Sequence, residues 1–181
     1  MALTATIYNF DIDLADHDRG VFENLQLRVA RHPSESEDYL WTRVLAYALE
    51  FTDGIAFSSG GLSAPDEPPI AVRDLTGTVK VWIDIGTPDP ARLHRAAKAT
   101  PRVAVYVQKD SAQFLERLAG AKIHQADAID IISVDRQLLA DLGAVLDRRM
   151  NFSLSVSDGE LFVALAATSL TGRLTRHKIG A

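Results

Sequence analysis

The chain has 181 residues, of which 47% are hydrophobic and 24% charged, and its 24 acidic and 19 basic side chains leave a formal net charge of −5. This composition is typical of one folded globular domain, residues 1–181, and excludes a disordered chain and a membrane protein. The absence of cysteine excludes disulfides, thiolate metal sites and cysteine nucleophiles. With no secretory leader and no apolar run near ~18 residues, the sequence predicts a cytoplasmic protein without membrane contact.

The first third of the chain predicts a hairpin followed by a helix. Residues 8–14 and 21–29 alternate apolar and polar side chains, as strands with one solvated face do, and residues 16–20 supply the turn between them. Apolar residues at helical spacing over 40–51 then predict the first helix, with Ser34 as its N-cap.

The middle of the chain predicts three antiparallel strands, a helix and a parallel strand. The three strands are residues 55–57, 70–73 and 79–85. A loop rich in Gly, Ser and Pro, residues 60–69, separates the first two. Asp89 and Pro90 open the second helix as its N-cap and first helical residue. The continuous apolar run 103–107 is typical of a buried parallel strand.

The last third predicts further alternation and a final hairpin. The expected elements are a helix at 111–119, a strand at 129–134, a helix at 136–146, and strands at 150–156 and 160–166. An Asp158-Gly159 turn joins the last two strands. The basic residues 173–178 are interpreted as a tail. The predicted fold class is therefore α/β, a mixed sheet with helices on both faces and extra hairpins at the two ends of the chain.

This topology brings the chemically interesting polar residues to one edge of the sheet. The strand at 79–85 ends there, the helices on either side of the strand meander begin there, and Gln108 and Lys109 arrive from the end of the parallel strand. Alternation places Asp84 on the same face as Trp82 and opposite to Ile83. Aspartate is disfavoured in strands, so Asp84 becomes the central candidate for a functional site.

The partner of Asp84 depends on the register of its hairpin. With a two-residue turn, Glu67 faces Gly86 and lies diagonally from Asp84 at roughly 7–8 Å. If Gly77 forms a bulge instead, the register slips by one residue and Asp66 takes the place of Glu67. Such carboxylates suit Mg²⁺ or Mn²⁺, which prefer oxygen ligands. The structural alternative is that Asp84 accepts hydrogen bonds from a loop or pairs with an arginine.

Taken together, these segments resemble the YaeQ family of small bacterial proteins. The resemblance spans the chain and is carried by residues 1–3, 5–8, 31–35, 66–68, 82–86 and 88–89. It implies a variant of the PD-(D/E)XK nuclease fold, in agreement with the predicted order of helix, three antiparallel strands, helix and parallel strand. In this fold Asp84 looks like the acidic residue of the (D/E)XK element, and Glu67 looks like the upstream acid.

The sequence departs from the nuclease motif at the lysine position, which is Gly86 here. In nucleases of this fold that lysine stabilises charge on the scissile phosphate or orients the attacking water. A cation on the second helix is its expected replacement, with Arg95 as first choice and Arg92 as second. Glu35 and Arg43 are further candidates for the cleft. Helix-end charge explains Glu35 equally well, and a salt bridge is the favoured role of Arg43.

Two functions fit these residues. The first is a Mg²⁺- or Mn²⁺-dependent phosphodiesterase or nuclease, with Asp84, Glu67 and Asp66 as candidate metal ligands and Arg95 on the phosphate. The second is a non-catalytic binding or regulatory protein that keeps the fold with a degenerate site. Gly86 favours the second, and the retained acids favour the first. Net acidity opposes tight duplex binding, but the cations of the second helix form a local patch suited to nucleic acid or another phosphodiester.

Overall fold

The structure is a computed structural model and describes residues 4–59 and 65–180. Part of the predicted loop 60–69, and the segment 1–3 used in the family resemblance, lie outside the described residues. The elements in chain order are β1 (Thr6–Asp16), β2 (Val21–Arg31), α1 (Glu37–Leu49), β3 (Ile55–Phe57), β4 (Ile70–Arg73), β5 (Val79–Ile85), α2 (Pro90–Ala99), β6 (Arg102–Val107), α3 (Ser111–Ala119), β7 (Asp130–Val134), α4 (Arg136–Ala144), β8 (Arg149–Ser157), β9 (Glu160–Ala164) and β10 (Ser169–His177). Within the described ranges, no helix is both long and apolar enough to cross a membrane.

The ten strands form one mixed sheet, in the order β2-β1-β8-β9-β10-β7-β6-β5-β4-β3. Strands β3, β4 and β5 pair antiparallel, and β6 runs parallel to both β5 and β7. Helix α1 precedes this meander, and α2 connects β5 to the parallel strand β6. The predicted mixed α/β sheet is therefore confirmed.

The C-terminal residues correct the sequence interpretation, because most of the predicted basic tail belongs to β10. This strand pairs antiparallel with β9 on one side and with β7 on the other. At its centre, a Cβ on Gly172 would lie 2.8 Å from the side chain of Leu138 in α4. The close helix therefore requires glycine there, which interrupts the apolar alternation that marks a strand. Since β1 also pairs with β8 in parallel, the terminal hairpins are built into the main sheet.

Each face of the sheet carries its own hydrophobic core. On one face, α1 and α4 pack Trp41 and Leu138 against the strands. On the other face, Leu93 of α2 packs with Trp82 and with residues of α3. Ile83 lies in the first core and Trp82 in the second, as the alternation on β5 predicts. The neighbouring residue Asp84 thus lies on the face covered by α2.

Helix α1 begins later than predicted. Its N-cap is Ser36, whose hydroxyl accepts a hydrogen bond from the Tyr39 backbone N–H at 3.1 Å. The predicted cap, Ser34, is instead hydrogen-bonded to the His32 ring at 2.7 Å. Glu35 therefore precedes the helix, and charge complementation at the helix end does not explain it.

Candidate functional site

Asp84, near the end of β5, is 3% exposed and is bound by α2. Arg92 donates from Nε to Oδ2 at 2.8 Å and from Nη2 to Oδ1 at 3.0 Å, which makes the pair bidentate. Trp82 Nε1 donates to Oδ2 at 3.0 Å, and the guanidinium carbon lies 5.2 Å from the centroid of the Trp82 ring. Both oxygens of the Asp84 carboxylate are therefore occupied by protein donors.

The rest of the Arg92 guanidinium holds the segment before β4. Nη1 donates to the Pro65 carbonyl at 2.5 Å, and Nη2 donates to the Glu67 carbonyl at 2.9 Å. Burial lowers the pKa of Arg92, but hydrogen bonding to Asp84 and the charge of that carboxylate outweigh it, so the pKa is raised. Arg92 thus joins helix, strand and loop in one polar cluster.

Arg92, the second choice from the sequence to replace the motif lysine, pairs with Asp84, and Arg95, the first choice, does not. The rotation of α2 explains this, because Leu93 and Ala96 are fully buried and set which side of the helix faces the sheet. Arg92 lies at the border of that buried side and reaches Asp84. Arg95 is exposed and lies on the outer side of the helix, away from the carboxylate.

From Ile70 to Val72 the ladder between β4 and β5 has the register of the first alternative, but an irregularity between Val72 and Arg73 shifts it by one residue next to the turn, as the second alternative expected there. Ile70 lies opposite Ile83, and continuing the ladder by three residues places Glu67 opposite Gly86. However, β4 begins only at Ile70, after two prolines. The Glu67 carboxylate turns aside and accepts a hydrogen bond from Ser58 Oγ at 3.0 Å.

The predicted acids do not fit a Mg²⁺ or Mn²⁺ ion. The oxygens of Asp84 are occupied by Arg92 and Trp82, the Glu67 carboxylate is bonded to Ser58, and Asp66 is exposed. Across residues 4–59 and 65–180, no three acidic or histidine side chains form a cluster that could hold a metal. Divalent cations need several free oxygen ligands, so no chemistry is derived through such an ion.

A second buried ion pair joins the segment before α1 to the helix itself. Arg43 Nη2 lies 2.8 Å from Glu35 Oε1 and donates a hydrogen bond to the Ala30 carbonyl at 2.8 Å. Glu35 Oε2 accepts from the His32 backbone N–H at 3.0 Å. Burial raises the pKa of Glu35, and the charge of Arg43 opposes that shift. The salt bridge favoured for Arg43 is therefore present, and both charges are bound within the protein.

Tyr39, which the sequence did not predict as a site residue, lies close enough to both ion pairs for their charges to affect its pKa. Burial raises its pKa to about 12, with Arg43 and Arg92 opposing the shift and Glu35 and Asp84 adding to it. The hydroxyl is therefore protonated at neutral pH. Its position four residues before Arg43 on α1 was the available signal, since such spacing brings side chains to one side of a helix.

A cleft of about 340 Å³ opens at this edge of the sheet. Its lining includes Tyr39, Asp84, Gly86, Arg92, Gln108 and Lys109. Gln108 is 7% exposed, and its Oε1 has no hydrogen-bond partner among the described residues. Lys109 is exposed and forms no ion pair within the described part of the chain. The cleft therefore contains a buried amide and a cation that has no partner among the described residues. Both follow the end of β6, which the sequence predicted to reach this edge of the sheet.

The backbone explains why glycine occupies the motif's lysine position. Gly86 has a φ of +94°, in the region that L side chains rarely adopt. Its N–H donates to the Tyr106 carbonyl at 2.8 Å, which anchors this conformation to β6. A Cβ here would face the Gln108 amide at 3.7 Å. A lysine at this position would therefore carry backbone strain of about 1–2 kcal/mol.

Comparison with known proteins finds bacterial relatives that match nearly the whole chain. The family model described as YaeQ protein matches residues 1–173. Proteins named "Uncharacterized protein YaeQ" from Escherichia coli (strain K12) and Salmonella typhi are each 32% identical over 176 residues, 97% of this chain and 97% of the relative.

Two crystal structures show the same architecture. The YaeQ protein from Xanthomonas axonopodis pv. citri is 32% identical with a TM-score of 0.81, over 97% of this chain and 99% of that one. The YaeQ protein from Pseudomonas syringae is 30% identical with a TM-score of 0.85, over 95% of each chain. The likeness extends across nearly the whole sheet, including its terminal hairpins.

Proposed function

The chain belongs to the YaeQ family, and we propose that it is a binding protein on a PD-(D/E)XK nuclease-like core, whose cleft takes a small anionic ligand without metal-dependent hydrolysis. The observation that carries this proposal is the occupation of both Asp84 oxygens by Arg92 and Trp82. The expected motif lysine is absent, and the backbone at Gly86 opposes its return. These features favour the degenerate-site hypothesis over the phosphodiesterase.

Energetics supports this choice. Separating one partner from a buried, hydrogen-bonded ion pair costs about 3–5 kcal/mol. A cation that took Asp84 as a ligand would have to displace Arg92, which would also release the carbonyls of Pro65 and Glu67. Among the described residues that line the cleft, no free carboxylate offsets that loss, because the Glu67 side chain is bonded to Ser58. The Asp84 cluster therefore supports the walls of the cleft rather than a metal ion.

The ligand class follows from the groups that remain available. Lys109 supplies an unpaired positive charge, Gln108 a buried amide oxygen, and Tyr39 a hydroxyl with a pKa of about 12. An unpaired buried amide is costly, so a ligand that donates a hydrogen bond to it gains that energy on binding. A small anion that also carries a hydrogen-bond donor, such as a monoprotonated phosphate group, matches these groups.

The first test measures metal binding by isothermal titration calorimetry of the purified chain with MgCl₂ and MnCl₂ at millimolar concentration. We expect no saturable heat, and no hydrolysis of bis-p-nitrophenyl phosphate above that of the Asp84→Asn variant. Saturable binding in the wild type that Asp84→Asn abolishes would overturn the proposal in favour of a metal-dependent phosphodiesterase.

The second test maps anion binding by NMR titration with inorganic phosphate near neutral pH. We expect shifts of the backbone amide of Gly86 and the side-chain amide of Gln108, saturating in the millimolar range and weakened at least about tenfold by Lys109→Ala. Lys80→Ala, at the opposite end of β5, is the matched control and leaves the shifts unchanged. Shifts that Lys109→Ala leaves unchanged, or the absence of any shift in the wild type, would contradict the proposal.

A further inference from the structure

A second concave surface lies on the outer side of α2, facing away from Asp84. This surface, which we call the outer groove, has a volume of about 780 Å³. Its polar lining comprises His94, Arg95 and Lys98 of α2 and Lys122 and His124 of the segment after α3. The residues thus come from two parts of the chain that the fold brings together. None of them takes part in the Asp84 cleft.

The cations of the outer groove have no protein partner within residues 4–59 and 65–180. Arg95, Lys98 and Lys122 are exposed, and none of them forms an ion pair or a side-chain hydrogen bond with any described residue. Elsewhere Arg43, Arg92 and Arg102 are each paired with a carboxylate. In a chain of net charge −5, three unpaired cations in one groove form a local reversal of sign that attracts anions.

The spacing of these cations indicates a ligand with more than one anionic group. Arg95 and Lys98 are three residues apart on α2, about 4.5 Å along the helix axis. Lys122 adds a third charge from the other side of the groove. A single small anion engages only part of this set, whereas a chain of phosphates engages all of it.

The groove also offers flat and apolar surface between its charges. His94 Nδ1 accepts a hydrogen bond from the His124 backbone N–H at 3.1 Å, and the two rings lie nearly perpendicular, 6.4 Å apart. Pro90 and Ala91 at the start of α2 also line the groove and contribute apolar surface, with the mostly buried Ile123 beneath. Single-stranded nucleic acids bind where a positive groove follows the backbone and ring or apolar surfaces receive the bases.

From this combination we propose that the outer groove binds single-stranded nucleic acid through its phosphates, independently of the cleft. The concave shape disfavours a flat membrane surface. An acidic peptide would use the charges and leave the imidazole and apolar surfaces without a matching partner. This function goes beyond the proposed small-anion cleft and does not require it, because the two sites share no side chain.

The test is fluorescence anisotropy with a labelled mixed-sequence single-stranded RNA of about 12 nucleotides, a length within the usual site size. The chain is titrated in EDTA at several salt concentrations. The triple variant Arg95→Gln, Lys98→Gln, Lys122→Gln is expected to raise Kd at low salt at least about tenfold. The slope of log K against log salt should become shallower by about 2, since three phosphate contacts are lost.

The matched control is Arg28→Gln, Arg136→Gln, Arg149→Gln, which removes the same charge from exposed arginines outside the groove. It should keep Kd within about twofold of the wild type. Equal weakening by both triple variants overturns the proposal, because net charge alone would then explain binding. Absence of RNA binding by the wild type at low salt overturns it as well.

Two further arms separate the nucleic acid from other anions. A polyglutamate peptide of matched charge should compete at least about tenfold more weakly than unlabelled RNA, and phosphatidylserine vesicles should not sediment the chain. Equal competition by the peptide, or binding to vesicles but not to RNA, overturns the proposal. NMR shifts of the wild type on adding RNA should map to His94, Lys98, Lys122 and His124. This measurement tests the site even if the triple variant fails to fold.

Discussion

Each side of α2 carries an arginine, and the two arginines differ in burial and in whether they have protein partners. Arg92 is largely buried, and its guanidinium binds Asp84 and two carbonyls and lies over the Trp82 ring. Arg95, one turn later, is exposed and has no partner among the described residues. The first arginine is committed to the fold and the second is available to a ligand. Pairing, rather than residue type, therefore distinguishes a structural cation from a binding one.

The largest expected effect tests the difference between these two arginines through one alanine substitution of each. Arg92→Ala leaves the Asp84 carboxylate buried without its counter-charge, so we expect the free energy of unfolding to fall by about 3–5 kcal/mol. Arg95→Ala removes an unpaired surface side chain and should change it by less than about 0.5 kcal/mol. Urea denaturation monitored by circular dichroism measures both, and similar losses from the two variants would refute the distinction.

A smaller effect tests the backbone at the floor of the cleft. Gly86→Ala places a side chain at a φ of +94°, and we expect a loss of about 1–2 kcal/mol from backbone strain. The matched control is Gly120→Ala at the end of α3, where the backbone is right-handed and a Cβ meets nothing closer than 3.8 Å. That control should be neutral or slightly stabilising in thermal denaturation. A neutral Gly86→Ala would contradict the assigned strain.

The pH dependence of stability tests the buried ion pair of Glu35 and Arg43. Burial raises the pKa of Glu35 above 4.5, so its protonated form stabilises the fold below that pH, and this stability is lost as pH rises through the folded-state pKa. Glu35→Gln should therefore flatten the decline in unfolding free energy between pH 4.5 and neutrality. Urea midpoints across this range provide the measurement.

A control with the opposite sign is available at Asp74. Hydrogen bonding from Thr76 lowers the pKa of Asp74 to about 2, so its stabilising contribution is lost as pH falls from 3.8 toward 2. Asp74→Asn should then alter the pH dependence only in the acidic range. If Glu35→Gln changed the same acidic range instead, the assigned direction of its shift would be wrong.

The smallest expected effect concerns the outer groove. Because Arg95, Lys98 and Lys122 have no partners among the described residues, the triple glutamine variant should change the melting temperature very little, equivalent to less than about 0.5 kcal/mol. Differential scanning fluorimetry measures it. A large loss of stability would show that these cations serve the fold.

Much of this architecture could be predicted from local patterns. The alternation on β1 and β5, the apolar run in β6 and the Asp89-Pro90 start of α2 all follow from side-chain periodicity and capping chemistry. Strand β10 was not predicted, because Gly172 interrupts its apolar alternation. That glycine makes room for Leu138, and local sequence does not reveal this long-range contact.

The site was harder to predict than the fold. The sequence identified Asp84 and its edge, but the choice between Arg92 and Arg95 depends on the rotation of α2, which the buried residues Leu93 and Ala96 determine. The ladder of β4 with β5 ends at Ile70, so Glu67 does not pair with Gly86, and its carboxylate bonds to Ser58. Which cations are paired and which are unpaired could be learned only from the three-dimensional contacts.

The placement of β10 has a consequence for how the chain acquires its structure. Strand β1 pairs with β8, which follows more than a hundred residues later, and β10 joins the two halves of the sheet that the described residues form. Such non-local pairings slow folding. During synthesis on the ribosome, the half that contains β7 and the half that contains β9 cannot be joined until β10 has emerged. Until β10 pairs with them, the edges of β7 and β9 are open to pairing with other chains, so we expect partly folded molecules to aggregate.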